Sequence, residues 1–154
     1  MLQTTDRLDR AVYRFLQQIV AEYMTRAVTT VSRQLTVRDL NQMFERDDFN
    51  TYPVVEDGQV VGLVTKFDLL KCFAFTPSQM VPRYDDLMNR TVTDIMTSAY
   101  IYVGADTKLT RVLQLMVEHR IRSIPAIDND NRLVGIIARE DVIKALAASA
   151  RGAA

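Results

Sequence analysis

Two short stretches of the chain carry its most chemically suggestive residues. In residues 62–68 an apolar run ends at Thr65, and Asp68 follows three positions later, where a helix is predicted to begin. Thr-x-x-Asp is typical of a capping box, in which each side chain accepts a hydrogen bond from the backbone N–H of the other residue. The same groups can bind a ligand, because a helix N-terminus attracts a phosphate and a carboxylate accepts from two vicinal hydroxyls of a ribose. By themselves these residues favour the cap, since such caps are common.

A second stretch, residues 135–141, repeats this outline with changes. The glycine, the two aliphatic residues and the final aspartate return, whereas Ala138 stands in place of the threonine. Alanine cannot cap, so the reciprocal box is broken, although Asp141 keeps its own favourable interaction with the helix dipole. Arg139 occupies the position of Lys66. It is either a phosphate-binding cation that replaces the missing hydroxyl or an ordinary exposed helix residue.

The sequence offers little for catalysis. His119 is the only histidine and Cys72 the only cysteine, so neither a Cys/His dyad nor a zinc set is available. We interpret Cys72 as a core thiol. Residues 128–131 lack the glycine and the glutamate of a calcium loop, and a hairpin turn explains them. We find no Walker sequence and no GxGxxG. We therefore predict no catalytic residues, no metal and no enzymatic activity.

Composition restricts the classes of partner. The chain has 154 residues, of which 48% are hydrophobic, and 19 basic residues balance 19 acidic ones. No segment carries the basic excess that would follow a phosphate backbone, so we predict no nucleic-acid partner. No apolar run approaches the length of a membrane span, and the N-terminus lacks the layout of a signal peptide. With a single cysteine, a cytoplasmic, reducing location is expected.

An internal duplication places the two stretches in equivalent positions. Identical residues recur at an offset of 72 (Met24 to Met96), which becomes 73 after a one-residue insertion between two predicted strands (Gly62 to Gly135). The identical positions are Val20, Met24, Thr25, Ala27, Val31, Gln42, Pro53, Val61, Gly62, Asp68 and Lys71, matched by Val92, Met96, Thr97, Ala99, Val103, Gln114, Pro125, Val134, Gly135, Asp141 and Lys144.

Each copy is predicted to fold as β-α-β-β-α, which gives an α+β class with two pseudo-symmetric repeats. The predicted strands are residues 28–31, 52–55 and 60–64 in the first copy and 100–103, 124–127 and 133–137 in the second. Apolar residues at helical spacing predict a helix after each first strand, with Thr36 as a cap in the first copy. The closing helices are expected at residues 66–73 and 139–149.

Segments outside the copies complete the predicted organisation. We expect an N-terminal helix (1–19), repeat 1 (20–73), a linker (74–91), repeat 2 (92–146) and a fraying tail (147–154). Pro77 and Pro82 are expected to keep a helix from running through the linker, with a short helix at 84–88. The N-terminal helix has one apolar face, which packs either on the chain's own body or on a partner subunit. That face consists of Leu8, Val12, Phe15, Leu16 and Ile19.

With these motifs in place, the chain resembles a tandem pair of cystathionine β-synthase (CBS) domains, often called a Bateman module. The resemblance covers residues 20–146. It rests on Tyr-Met-Thr (23–25) and Ile-Met-Thr (95–97) at the starts of the copies, on residues 119–128, and on the stretches 62–68 and 135–141. It implies a disc-like domain with two clefts between the copies. Family members bind AMP, ADP, ATP or S-adenosylmethionine there, and tandem modules commonly form homodimers.

The resemblance also implies roles for single residues. Asp68 matches the ribose-binding aspartate, Thr65 the hydroxyl on the phosphate side, and Asp141 the aspartate of the second site. Other positions match residues that line the adenine pocket or lie near the phosphates, although the apolar ones are equally well explained as core. They are Val28, Thr29, Tyr100 and Ile101 for adenine, and Asn50, Thr51, Arg122 and Ser123 for the phosphates, with Lys66, Arg139, Pro53 and Pro125 completing the candidate set.

Departures from the family pattern predict unequal sites. Ala138 removes a hydroxyl from the second site, and Asn50 is a neutral counterpart of Arg122, so the two clefts differ in charge. The Asp68 site is expected to bind better. The leading hypothesis is a non-enzymatic regulatory protein, an energy sensor that binds an adenosine-containing ligand and signals through a homodimer or a client protein. The alternatives are an interaction module with empty clefts and, with least support, an enzyme acting on a nucleotide.

Overall fold

The computed structural model of the protein describes residues 2–74 and 80–152, with side chains described except at 2–5 and 80–83. These residues form two β-hairpins and seven α-helices. The helices are α1 (Leu2–Gln17), α2 (Val37–Asp47), α3 (Lys66–Lys71), α4 (Met80–Met88), α5 (Val92–Ile95), α6 (Leu109–His119) and α7 (Arg139–Gly152). The strands are β1 (Thr51–Glu56), β2 (Gln59–Thr65), β3 (Ser123–Ile127) and β4 (Leu133–Ala138). The predicted α+β class with two repeats and an N-terminal helix is confirmed.

Each repeat is built around one antiparallel hairpin followed by a helix. β1 pairs with β2, and Asp57 and Gly58 turn between them with positive φ angles of 52° and 78°. That backbone conformation suits glycine and is tolerated by aspartate. β3 pairs with β4 in the same register. α3 begins directly after β2 and α7 directly after β4, so each hairpin sets the position of one strand-to-helix turn.

The chain divides into two compact units that differ from the two sequence copies. Unit 1 comprises residues 1–28 and 101–154, and unit 2 comprises residues 29–100. Thr25 exchanges two backbone hydrogen bonds of 2.9 Å with Ile136, and Thr97 exchanges bonds of 2.8 and 2.9 Å with Leu63. The opening segment of each copy therefore pairs with the second hairpin strand of the other copy.

Each unit has its own apolar core. Unit 1 buries residues of α6, α7 and the hairpin around Ile124 and Ile137, and unit 2 buries residues of α2 and its hairpin around Leu40 and Val54. Thr36 caps α2 as predicted, because its hydroxyl accepts the Asp39 N–H at 3.2 Å.

The predicted first strands are wrong in extent. In place of residues 28–31 and 100–103 the structure has single parallel bridges, Val31 with Val54 and Val103 with Ala126. In the first copy the preceding backbone turns, since Val28 N–H donates to Arg26 O at 3.1 Å, and no ladder extends beyond the bridge.

Two predictions about the ends of elements also need correction. α4 begins at Met80, so a helix does run through Pro82, which lies in the first turn where a missing N–H costs no hydrogen bond. Pro77 lies outside the described residues. The tail does not fray at residue 147, because α7 continues to Gly152 and Ser149 hydrogen-bonds to Gln18 at 3.2 Å.

The apolar face of α1 is only partly covered. Phe15 is 6% exposed and belongs to the core of unit 1. Leu8, Val12 and Leu16 are 62%, 56% and 49% exposed. Packing on the chain's own body therefore accounts for Phe15 and, in part, for Ile19, which is half-buried and bridges to Lys108. Leu8, Val12 and Leu16 stay open among the described residues. No helix within residues 2–74 and 80–152 is long and apolar enough to cross a membrane.

Candidate functional site

The turn of unit 2 is a complete capping box. Thr65 ends β2 and is the N-cap of α3. Its hydroxyl accepts the Asp68 N–H at 3.1 Å and donates to Asp68 Oδ2 at 3.0 Å, while the Thr65 N–H donates to the same oxygen at 2.9 Å. The structural interpretation of Thr-x-x-Asp is therefore confirmed for the first copy.

The other carboxylate oxygen of Asp68 is also engaged. Asp68 is 4% exposed, and its Oδ1 lies 3.1 Å from Lys71 Nζ and 3.3 Å from the Thr97 hydroxyl. A buried carboxylate without partners would be costly, and here four polar groups compensate for its burial. A ribose that binds Asp68 must share or replace the contacts to Lys71 and Thr97.

Neighbouring candidates gather around this turn. Thr51 is the cross-strand partner of Thr65, and the Asn50 carbonyl accepts the Lys66 N–H at 3.1 Å. The Lys66 ammonium lies 6.0 Å from the centroid of the Phe44 ring, within the range of a cation–π contact. Asn50, Thr51, Thr65, Lys66 and Asp68 therefore form one cluster in unit 2.

The turn of unit 1 keeps one of these bonds. Ala138 N–H donates to Asp141 Oδ2 at 2.8 Å, which matches the bond between Thr65 and Asp68. Ala138 has no hydroxyl to cap the Asp141 N–H. Within the described parts of the chain, the Asp141 carboxylate accepts no other hydrogen bond and forms no ion pair. Asp141 is half-buried and has one uncommitted oxygen.

Two arginines surround the turn of unit 1. The Arg139 N–H donates to the Arg122 carbonyl at 3.0 Å, and Arg139 Nε donates to Ile121 O at 3.0 Å. Both side chains are exposed, and neither pairs with a carboxylate of a described residue. Ser123 lies opposite Ala138, as Thr51 lies opposite Thr65. Unit 1 thus brings Arg122, Ser123, Arg139 and Asp141 together. Its two guanidinium groups pair with no carboxylate of a described residue, whereas Lys71 at the turn of unit 2 is paired with Asp68.

Close backbone approach explains the glycine that precedes each turn. A Cβ at Gly62 would lie 2.9 Å from Thr97 O, and one at Gly135 would lie 2.9 Å from Thr25 O and 2.5 Å from Met24 Sδ. The Met-Thr pairs and the glycines that recur in both copies are therefore parts of one contact in each unit.

The remaining candidates are positioned less directly. Pro53 and Pro125 are buried, and their carbonyls accept from Val31 and Val103 at 3.0 and 3.1 Å. These bonds hold the backbone two residues after Thr29 and Ile101. Val28 belongs to unit 1 and Tyr100 to unit 2, so each predicted adenine pair is divided between the units. The Tyr100 hydroxyl donates to Val60 O at 3.2 Å.

Sequence reasoning missed two partners of Asp68. Lys71 and Thr97 were seen only as matches between the copies, with Lys144 and Thr25, and were given no role. The available signal was that both residues recur in the other copy, with Lys71 and Lys144 at the same position after their aspartates.

Cys72 behaves as the core thiol that the sequence indicates. Its Sγ donates to Asp68 O at 3.4 Å, and burial raises the pKa of the thiol above its usual value. Within the described residues no group of three or more histidine, cysteine, aspartate or glutamate side chains is placed to hold a metal ion.

Comparisons with known proteins agree with this architecture. The model of the CBS domain matches residues 20–74 and 92–148. The uncharacterized protein MJ0188 of Methanocaldococcus jannaschii is 32% identical over 127 residues, which are 81% of this chain and 43% of that protein. The chain thus spans less than half the length of the first curated relatives that it matches.

Solved structures show the same fold. Protein MJ1225 of M. jannaschii has a TM-score of 0.80 and 25% identity, with 89% of this chain and 50% of that chain covered. CBSX2 of Arabidopsis thaliana, solved in complex with AMP, has a TM-score of 0.72 and 26% identity, with 84% and 96% covered. The two matches to the family model span most of the chain, and this protein belongs to the CBS domain family as a tandem pair, a Bateman module.

Proposed function

We propose that the protein is a non-enzymatic regulatory module that binds an adenosine-containing ligand at its strand-to-helix turns. The observation that carries the proposal is the aspartate held in the same way in both units, by a bond of 2.9 Å from Thr65 N–H and of 2.8 Å from Ala138 N–H. This bond fixes a carboxylate at the start of a helix, where it can accept ribose hydroxyls. Asp141 has an oxygen free for them, whereas Asp68 must first release Lys71 and Thr97. The AMP complex of CBSX2, a structural neighbour, supports an adenine nucleotide as the ligand class.

The phosphate side of the ligand fits the residues beside each aspartate. In unit 2 these are Thr51, Thr65 and Lys66, and in unit 1 they are Arg122, Ser123 and Arg139. A guanidinium makes stronger charge-assisted contacts to phosphate than a neutral donor does. We propose that the Asp68 turn favours ligands with little phosphate charge, such as AMP or S-adenosylmethionine, and that the arginines favour ADP or ATP at the Asp141 turn.

The signal is proposed to pass to another polypeptide. A ligand that binds Asp68 must replace its contacts to Lys71 and Thr97. Lys71 and Thr97 then lose Asp68 as a partner. Thr97 lies in the opening segment that pairs with β2, so this exchange connects the ligand to the backbone of unit 2. A change in homodimer or client association would then report the ligand.

A ligand-free interaction module is the second candidate. One observation favours it, since both oxygens of Asp68 are satisfied without any ligand. In that case the carboxylate serves only to cap α3 and to hold the Met96–Thr97 segment.

Calorimetric titration distinguishes the two candidates. AMP, ATP and S-adenosylmethionine are titrated separately into folded protein whose oligomeric state is measured in the same buffer. Saturable heat with at least one of them is the expected result. No heat with any of the three, from protein that unfolds cooperatively, would contradict ligand sensing and leave the interaction module.

A further inference from the structure

The Asp68 carboxylate has no acceptor position left over for a ligand. Each carboxylate oxygen can accept from two donors, and here both oxygens have two partners. Oδ2 accepts from the Thr65 N–H and the Thr65 hydroxyl at 2.9 and 3.0 Å. Oδ1 has the Lys71 ammonium at 3.1 Å and the Thr97 hydroxyl at 3.3 Å. A ribose that brings two hydroxyls to this carboxylate must therefore displace two partners that the chain itself supplies.

The partners of Oδ1 are the ones that a ligand can displace. Those of Oδ2 belong to the N-cap of α3, so replacing them would open the capping box. The contact to Thr97 is long for a hydrogen bond between a hydroxyl and a carboxylate. Lys71 brings a full charge to Oδ1, and its side chain is 50% exposed, so the released ammonium can enter water. Lys71 is therefore the partner that competes most strongly for Oδ1 and that the fold leaves free to move.

The equivalent lysine of unit 1 is unpaired. Lys144 stands at the position of Lys71 in the second copy, yet it is exposed and pairs with no carboxylate of a described residue. The neighbouring residue differs as well. The Phe67 ring centroid lies 5.5 Å from the Lys71 ammonium, whereas Glu140 stands at the position of Phe67 in α7. A cation beside an aromatic ring is stabilised there, so Phe67 favours the position from which Lys71 reaches Asp68.

We propose that Lys71 is an intramolecular competitor of the ligand and determines how tightly the turn of unit 2 binds an adenosine-containing molecule. With the ammonium on Oδ1, ribose hydroxyls find no acceptor; with the ammonium in water, an acceptor position opens on an ionised carboxylate. Among the described residues of unit 1, Asp141 meets no such competitor. This role of Lys71 rests on the proposed function, since it concerns the affinity of the same site.

Removal of the ammonium tests the proposal with adenosine, which offers ribose hydroxyls and carries no phosphate that Lys71 could attract. Lys71→Met keeps a long, unbranched side chain that suits a helix. In calorimetric titration it should bind adenosine on the order of fivefold more tightly than the unchanged protein, because no ion pair has to be broken. Lys71→Arg keeps a cation beside Asp68 and should bind adenosine like the unchanged protein.

Stability distinguishes a competitor from a lysine that only supports the fold. Lys71→Met should lower the midpoint of urea unfolding, since Asp68 loses its ion pair, while the affinity for adenosine rises. A lysine with only a structural role would lower stability without raising the affinity. Salt gives a second readout in the unchanged protein, because screening of the ion pair should strengthen the binding of this neutral ligand. Lys71→Met should show no such strengthening.

Two controls locate the effect. Lys144→Met removes the same charge at the equivalent position of unit 1 and should change the adenosine affinity by less than about twofold, because Lys144 makes no ion pair that a ligand must break. In an Asp68→Asn background, Lys71→Met should bring no gain, since the ammonium has lost its charged partner.

Adenosine binding that is no tighter in Lys71→Met, in a protein that binds AMP, ATP or S-adenosylmethionine, would overturn the competition and leave the proposed function intact. An equal gain in Lys144→Met, or a gain that persists in the Asp68→Asn background, would also overturn it. Heat that appears with adenosine only in Lys71→Met would support it. No heat with adenosine or with any of the other three ligands, from the unchanged protein and from Lys71→Met, would reject the competition and the proposed function together.

Discussion

The two strand-to-helix turns share a scaffold and differ in how their aspartates are satisfied. In both, the backbone N–H of the last strand residue binds the carboxylate, from Thr65 to Asp68 and from Ala138 to Asp141. Only in unit 2 is the carboxylate also contacted by a capping hydroxyl, Lys71 and Thr97. The comparison separates the bond that both turns share from the contacts that only one of them makes. The backbone bond fixes the carboxylate, and the additional contacts determine how much of its hydrogen-bonding capacity is already engaged.

The largest expected effect is on stability. Asp68→Ala should lower the free energy of unfolding by about 2–3 kcal/mol, because it leaves the Thr65 N–H and hydroxyl without their carboxylate acceptor and removes the contacts to Lys71 and Thr97. Asp141→Ala should cost about 1 kcal/mol, since a single bond to Ala138 is lost. Urea unfolding followed by circular dichroism measures both. Equal losses for the two variants would contradict the difference between the turns.

A second comparison concerns the glycines before the turns. Gly135→Ala should destabilise the protein by about 2 kcal/mol, because the new methyl group meets Met24 Sδ and the Thr25 carbonyl, whose backbone is held by Ile136. Gly62→Ala meets Thr97 O at 2.9 Å and Met96 Sδ at 3.0 Å, and should cost less. Thermal unfolding ranks the two variants. A Gly135→Ala protein as stable as the unchanged one would show that the opening segment does not lie as close as described.

The smallest expected effect is the exchange of the capping residue. Thr65→Ala should lower the free energy of unfolding by about 1 kcal/mol through loss of the cap. Ala138→Thr should raise it by up to about 1 kcal/mol, because the new hydroxyl can accept the Asp141 N–H. The two variants are matched controls for each other in the same urea experiment. A loss of stability in Ala138→Thr would mean that the backbone of unit 1 cannot form the box.

Much of the scaffold was predictable because its determinants are local. Thr36 as a cap, the Asp57–Gly58 turn and the helix that follows Thr65 each depend on residues within a few positions in sequence. Duplication then transferred the same assignments to the second copy. The capping box of Thr65 and Asp68 was read correctly as structure, and its use by a ligand remains a proposal.

The rest depends on contacts between distant residues. Thr97 pairs with Leu63 and bonds to Asp68, although no local sequence pattern connects these segments. The pairing of Thr25 with Ile136 is equally distant in sequence. The first strands were overestimated because β-rich composition at residues 28–31 does not reveal whether a neighbouring strand runs alongside. α7 continues to Gly152, past its predicted end at residue 149. Its last turns are held by a tertiary hydrogen bond between Ser149 and Gln18, which local sequence does not indicate.

The ligand proposal at the Asp68 turn is tested most directly by titrating AMP into the unchanged protein, Asp68→Asn and Asp141→Asn. Asparagine keeps the size of the side chain and one acceptor, so folding is maintained and can be checked by the urea midpoint. We expect Asp68→Asn to weaken AMP binding on the order of tenfold, the loss of charge-assisted hydrogen bonds to the ribose, and Asp141→Asn to affect it less. AMP affinity that stays within about twofold in Asp68→Asn would contradict the assignment of the ligand to this turn.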